Sequence, residues 1–125
     1  MDILLVDDNL LMQQLMERFL SDLGYSVAVA GRADEAIELA RDTAPALFLL
    51  DIRLPDLDGP EALLALRALP GCATTPAIAM SGMDESVIQP MLTGEFVAYL
   101  SKPIDLDLLE AMLAQHLSDK TRSVG

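Results

Sequence analysis

The sequence predicts an open, doubly wound α/β sheet, and three observations lead to that class. Five short apolar runs recur along the 125 residues, each run is continuous rather than alternating, and stretches with helical periodicity separate them. A continuous apolar run suits a strand buried on both faces of a parallel sheet, and strands alternating with helices build such a sheet between two helical layers. The length fits one compact domain, expected over 1–118 with a polar, frayed tail over 119–125.

The elements follow in order. Ile3 to Val6 is the first strand. The helix after it, from about Leu10 to Leu23, puts Met12, Leu15, Met16, Phe19, Leu20 and Leu23 on one side and stops at Gly24, a residue suited to a left-handed cap. Val27 to Ala30 is the second strand, followed near Asp34 to Arg41 by a helix offering Ala36, Ile37 and Ala40. Ala46 to Leu50 is the third strand. The third helix runs from Pro60, at a favourable first-turn position, to Leu69, with Leu63, Leu64, Leu66 and Leu69 apolar. Ala77 to Met80 is the fourth strand. The stretch after it, Asp84 to Thr93, contains Pro90, which removes a backbone bond, so its helix is expected to be short or distorted. Val97 to Leu100 is the fifth strand, and the last helix starts near Asp105 with Leu108, Leu109, Met112, Leu113 and Leu117 apolar.

Composition excludes several functions. Twenty acidic against 8 basic residues give a net charge of -12, which repels nucleic acid phosphates and anionic membranes, so direct nucleic acid binding is not expected. Cys72 is the only cysteine, which rules out an intrachain disulfide and a cysteine-rich zinc site. It stands in a loop, Pro70 to Pro76, with no chemistry assigned to it. Met1-Asp2 precedes only a short apolar run, unlike a signal peptide, and no run reaches membrane-spanning length, so a cytoplasmic location is expected.

Doubly wound sheets bind ligands outside the carboxyl ends of their strands. There the chain places Asp7-Asp8 after strand one, Asp51 after strand three, Ser81 after strand four and Lys102-Pro103 after strand five. Each has an ordinary explanation alone. Asp8 could cap the first helix, Asp51 could start a turn, Ser81 could cap the next helix, and Lys102 could be solvated.

Together they mean more. Two carboxylates about 4 Å apart repel by roughly 4 kcal/mol at an effective dielectric of about 20, so converging acids need a cation. Hard oxygen donors with no His or Cys beside them favour Mg²⁺ or Mn²⁺. The only histidine, His116, falls on the last helix. A carboxylate beside a divalent cation and a lysine suits phosphoryl transfer, with a serine hydroxyl available to the phosphoryl oxygens. This reasoning arrives at an acyl phosphate without saying which carboxylate attacks.

Four segments carry a resemblance to a family: Leu4-Leu5-Val6-Asp7-Asp8-Asn9, the stretch Leu50-Asp51-Ile52-Arg53-Leu54-Pro55-Asp56-Leu57-Asp58-Gly59, Ala79-Met80-Ser81-Gly82, and Tyr99-Leu100-Ser101-Lys102-Pro103. In order and approximate spacing the chain resembles the receiver domains of two-component response regulators, including those of hybrid histidine kinases. The resemblance implies a flavodoxin-like (βα)5 fold with strand order 2-1-3-4-5. It implies Asp51 as phosphoacceptor, Asp8 and, largely through water, Asp7 as Mg²⁺ ligands, and the Arg53 backbone carbonyl as another. Lys102 would pair with the phosphoryl group, held by a cis bond to Pro103. Ser81 would move to bond that group, and Tyr99 would rotate inward into the space vacated. A plain strand aromatic is the ordinary explanation of Tyr99.

A histidine kinase or phosphotransfer protein would donate the phosphoryl group, and the product would be a signalling state rather than a released metabolite. Arg53 and Met83, two residues after Asp51 and Ser81, would flank the hydrolytic water and slow dephosphorylation. The pattern departs from the family at Gly94-Glu95-Phe96, on the surface that often carries output. Three other functions compete. A degenerate receiver acting only as an interaction module would lack an acid or the lysine, yet all are present. An aspartate-nucleophile phosphatase would carry a second Asp where Arg53 stands, and a flavin or nucleotide site would need a glycine- or hydroxyl-rich loop in place of Asp7-Asp8-Asn9.

Overall fold

The computed structural model describes residues 1–82 and 95–124, with residues 118–124 described by their backbone alone. The helix expected around Pro90 lies outside the described residues, as does Met83. In chain order the elements are β1 (Ile3–Val6), α1 (Leu10–Asp22), β2 (Val27–Ala30), α2 (Ala33–Asp42), β3 (Leu47–Asp51), α3 (Gly59–Arg67), β4 (Ala77–Ser81), β5 (Ala98–Ser101) and α4 (Leu106–Val124). All strand pairs are parallel, in the order β2-β1-β3-β4-β5. The doubly wound α/β class and this strand order agree with the reading of the sequence.

The continuous apolar runs are explained by two cores, one on each face. Successive side chains of a strand point to opposite faces. Leu4 and Val6 of β1 and Phe48 and Leu50 of β3 therefore pack against Ala36 and Ala40 of α2 and Ala62, Leu63 and Leu66 of α3. Their neighbours Ile3, Leu5, Leu47 and Leu49 pack against Met16 and Leu20 of α1 and Leu109 and Leu113 of α4 on the other face. Cys72 is buried in the first core, and burial pushes its thiol up.

Local chemistry sets the helix ends. Asn9 accepts the Met12 N–H at 2.9 Å and so caps α1, and Gly24 beyond its C-terminus takes φ 98°. Asp58 and Glu61 form a capping box on α3. Asp105 accepts the N–H groups of Asp107 and Leu108 at the start of α4. Along α4, Leu117 leaves helical geometry at φ -118°, and helical backbone resumes as far as Val124 across the expected tail.

One expectation is corrected. Leu15, expected on the same side of its helix as Met16 and Leu20, is 53% exposed and lies off the buried face. Residues four apart stack on one helix face. Leu11 and Leu15 accordingly form a second apolar stripe on α1, turned away from the buried Met16–Leu20 stripe. Val97 is also largely exposed and precedes β5. Among the described residues, no helix is long and apolar enough to cross a membrane.

Candidate functional site

The parallel register delivers the polar residues to one edge. Val6 pairs with Leu50, and Asp51 pairs with Met80, so Asp7, Asp51 and Ser81 all emerge at the carboxyl ends of adjacent central strands. Ser81 pairs with Ser101, which brings Lys102 to the same edge. One ligand atom from each of Asp7, Asp8 and Asp51 lies within 4.8 Å of the others. Asp7 and Asp51 are buried and Asp8 is exposed, so the hollow has a buried floor and an open mouth.

Lys102 fills the side of the hollow. Its Nζ donates to Asp7 Oδ2 at 2.9 Å and to Asp51 Oδ2 at 2.9 Å. Burial acts to lower the Lys102 pKa, but the bonds to Asp51 and Asp7 outweigh it and the ammonium is held above its ordinary value. Asp51 shows the reverse balance. Burial pushes its carboxyl up, and the hydrogen bonds from Lys102 and from the Arg53 N–H offset this only in part. The Lys102–Pro103 peptide is cis, and the Lys102 N–H donates to the Ser81 carbonyl at 2.8 Å.

The ordinary explanations fare unevenly. Capping of α1 falls to Asn9, which leaves Asp8 to another use. Asp51 does start a turn, accepting the Arg53 N–H at 3.0 Å on Oδ1 while Oδ2 takes Lys102. Lys102 is ion-paired rather than simply solvated. Tyr99 donates its hydroxyl to the Ser81 carbonyl at 3.4 Å, and its ring packs beside Phe96 on Ile52 and Ala79. His116 is half-buried on α4.

Three supporting residues were not singled out from the sequence. Asn9 orders the turn after Asp8, and its own N–H donates to Asp7 Oδ1 at 2.9 Å. Gln13 donates from α1 to the Asp7 carbonyl. Asp56 reaches across to α2, accepting the N–H groups of Ala33 at 2.9 Å and Asp34 at 3.0 Å. The Gly31-Arg32-Ala33 stretch before α2 contains no capping side chain, but that leaves water as well as a distant residue to serve the first N–H groups, so it does not point to Asp56.

The donor set suits a hard divalent cation. Its side-chain donors are carboxylate oxygens, and two of the three acids sit buried beside each other where, among the described residues, the Lys102 ammonium is ion-paired to both.

A five-stranded doubly wound sheet with an acidic hollow and a lysine at its carboxyl edge defines a small class of signalling domains. The response regulator receiver domain model matches residues 3–114, and the chain belongs to that family. It is 40% identical over 106 residues to an uncharacterized 14.6 kDa protein of Leptolyngbya boryana, covering 84% of this chain and 81% of that one. It is 33% identical to the polar-differentiation response regulator DivK of Brucella anthropi, covering 94% and 96%. Among solved structures, the receiver domain of sensor histidine kinase PA1611 from Pseudomonas aeruginosa superposes with a TM-score of 0.86 at 30% identity, covering 94% and 97%. That domain holds a magnesium ion in its active site cleft. The chain spans only 26% of three longer transcriptional regulatory proteins that it also matches.

Proposed function

We propose that this receiver domain accepts a phosphoryl group on Asp51 in a Mg²⁺-dependent reaction and so switches a two-component pathway. What carries this reading is the Lys102 ammonium, bonded at once to Asp51 and Asp7 beside the exposed Asp8. Asp7, Asp8 and Asp51, with the Arg53 backbone carbonyl, would hold the Mg²⁺. When bound, the cation supplies positive charge to the phosphoryl oxygens.

The chain's own groups have definable tasks. An Asp51 carboxylate oxygen attacks phosphorus, and the bond from phosphorus to the donor's leaving atom breaks, giving an acyl phosphate and the freed donor. Asp51 has one oxygen turned to Lys102 and the other held by the Arg53 N–H, so its carboxylate is fixed in orientation before the donor arrives. The Lys102 ammonium neutralises charge on the transferred group. Ser81, buried at the end of β4, would bond a phosphoryl oxygen, and Tyr99 would follow it inward. The Tyr99 hydroxyl bond to the Ser81 carbonyl supports a linkage between these two residues.

The donor would be a histidine kinase or phosphotransfer protein of the cytoplasm. Leu10, Leu11 and Leu15 are exposed on α1 directly after Asp8-Asn9, and this apolar strip beside the hollow supports docking of a protein donor. Arg53, which is exposed, would slow attack by water, as would Met83, which lies outside the described residues, and the phosphorylated state would be long-lived.

Radiolabelled acetyl phosphate tests the reading. Label is expected to enter wild-type protein in Mg²⁺, to stay out in EDTA, and to stay out of Asp51→Asn in either. A wild type that takes up no label would instead favour a receiver used only for protein interaction.

A further inference from the structure

The loop from Arg53 to Asp58 joins the Asp51 strand to α3, and two aspartates fasten it to two different helices. Asp58 caps α3, its own helix, through the Glu61 N–H at 2.9 Å. Asp56 leaves the loop sideways and takes the first N–H groups of α2, which is 22 residues or more away in sequence. At the α2 start, Arg32 occupies the N-cap position with no capping bond from its side chain. Asp34 is engaged locally with Arg32 and the Glu35 N–H, and Glu35 with the Gly31 N–H. The bidentate Asp56 carboxylate is thus a tie between the site loop and the neighbouring helix α2 as well as a cap. Both ends of the intervening turn are pinned, by the Arg53–Asp58 bridge and by the Leu54 N–H to Leu57 carbonyl bond at 3.2 Å.

We propose that Asp56 is a positioning residue for the phosphoacceptor site: it fastens the loop after Asp51 to the first turn of α2 and thereby holds the Arg53 backbone where Asp51 and the cation require it. The inference rests on the Mg²⁺ site described under the proposed function. Arg53 contributes its N–H to Asp51 Oδ1, and its carbonyl belongs to the same peptide run, three residues before the tie. Released from α2, the run Arg53 to Leu57 keeps the Arg53–Asp58 bridge, the Leu54–Leu57 bond and the packing of Leu54 and Leu57 on the core, but loses its two bonds to the first turn of α2. The Arg53 carbonyl is then held less tightly, and placing the cation has to order it further. Residues behind the ligands of a metal site set its affinity in this way, and their loss weakens binding by roughly 10–100-fold.

Isothermal titration with Mg²⁺ on the folded chain tests this, with urea denaturation of each variant in parallel. Asp56→Ala is expected to bind Mg²⁺ roughly 10-fold more weakly, at the low end of that range because the residue acts through the loop. Asp56→Asn keeps one oxygen acceptor and is expected to recover part of the affinity, and it serves if the alanine variant folds poorly. The double variant Asp56→Ala with Arg32→Ser separates tie from cap. Serine is a good local cap, so it is expected to restore stability to α2 while affinity stays weak. Affinity that returns together with stability would overturn the proposal, leaving Asp56 a helix cap only. Equal Mg²⁺ binding by wild type and Asp56→Ala would overturn it as well. A wild type that binds no Mg²⁺ would remove the site itself, and with it both the phosphoacceptor reading and this one.

Discussion

The Lys102 ammonium lies 2.9 Å from the Asp51 carboxylate, and the same nitrogen lies 2.9 Å from Asp7. One cation serves two buried acids, so the pocket is balanced for charge only in part. Lys102→Ala leaves both acids without that partner. In EDTA the variant is expected to lose about 2 kcal/mol by urea denaturation, less than the ~3–5 kcal/mol of a fully buried pair because Lys102 keeps 21% exposure. Added Mg²⁺ is expected to return part of the loss, because it supplies positive charge to the same two acids.

Asp51→Asn tests the opposite side of the balance. Burial pushes the Asp51 carboxyl up, and Asp7 beside it adds to the cost of its charge. A neutral, nearly isosteric side chain relieves that cost and leaves the Lys102–Asp7 pair in place. The variant is expected to be at least as stable as wild type in metal-free buffer while taking up no phosphoryl group. A loss above about 1 kcal/mol, a typical value for a destabilising substitution, would contradict this account of the pocket.

Asp8 separates metal binding from folding. It is exposed, and Asn9 rather than Asp8 caps α1, so Asp8→Asn is expected to change stability in EDTA by no more than about 0.5 kcal/mol. Wild type is expected to gain about 2.7 kcal/mol at a Mg²⁺ concentration 100 times its Kd, by linkage, and the variant to lose most of that gain. Thermal melts with and without Mg²⁺ make the comparison.

Gly59 marks how closely α3 approaches the β3 exit. A Cβ there would stand 2.9 Å from both the Ile52 Cα and its Cδ1, against backbone that cannot move aside. Gly59→Ala is expected to lose about 1–3 kcal/mol, the range for overpacking, in chemical denaturation.

The Asp56 tie carries a pH signature. Burial acts to raise its carboxyl, but the N–H groups of Ala33 and Asp34 outweigh that and hold it below the usual carboxylate range. A depressed folded value means that the stabilisation is fully present above the unfolded value of about 3.9 and fades as pH falls through the folded one. The melting-temperature gap between wild type and Asp56→Ala is therefore expected to be constant near neutrality and to close in acid, below about pH 4.

Much of the fold was legible because burial on both faces leaves a direct mark: Ile3–Val6 is a fully buried strand over the same residues that its apolar run picks out, and the partly buried edge strand Val27–Ala30 follows the same run of apolar residues. The acids and the lysine were legible for a topological reason, since each follows a strand and parallel strands end at one edge. Leu15 was misplaced because an apolar side chain reports a preference for burial and not which neighbour supplies it. The Asp56 tie escaped notice because its partners lie on another helix, where no local spacing rule reaches.

The central claim is that Asp51 is the carboxylate that takes the phosphoryl group. Borohydride reduces an acyl phosphate to the alcohol, converting a phosphorylated aspartate to homoserine. After treatment with Mg²⁺ and acetyl phosphate, reduction and peptide mass spectrometry are expected to find homoserine at position 51 and aspartate at positions 7 and 8. Homoserine at Asp7 or Asp8, or at none of the three in protein that binds Mg²⁺, would contradict the account.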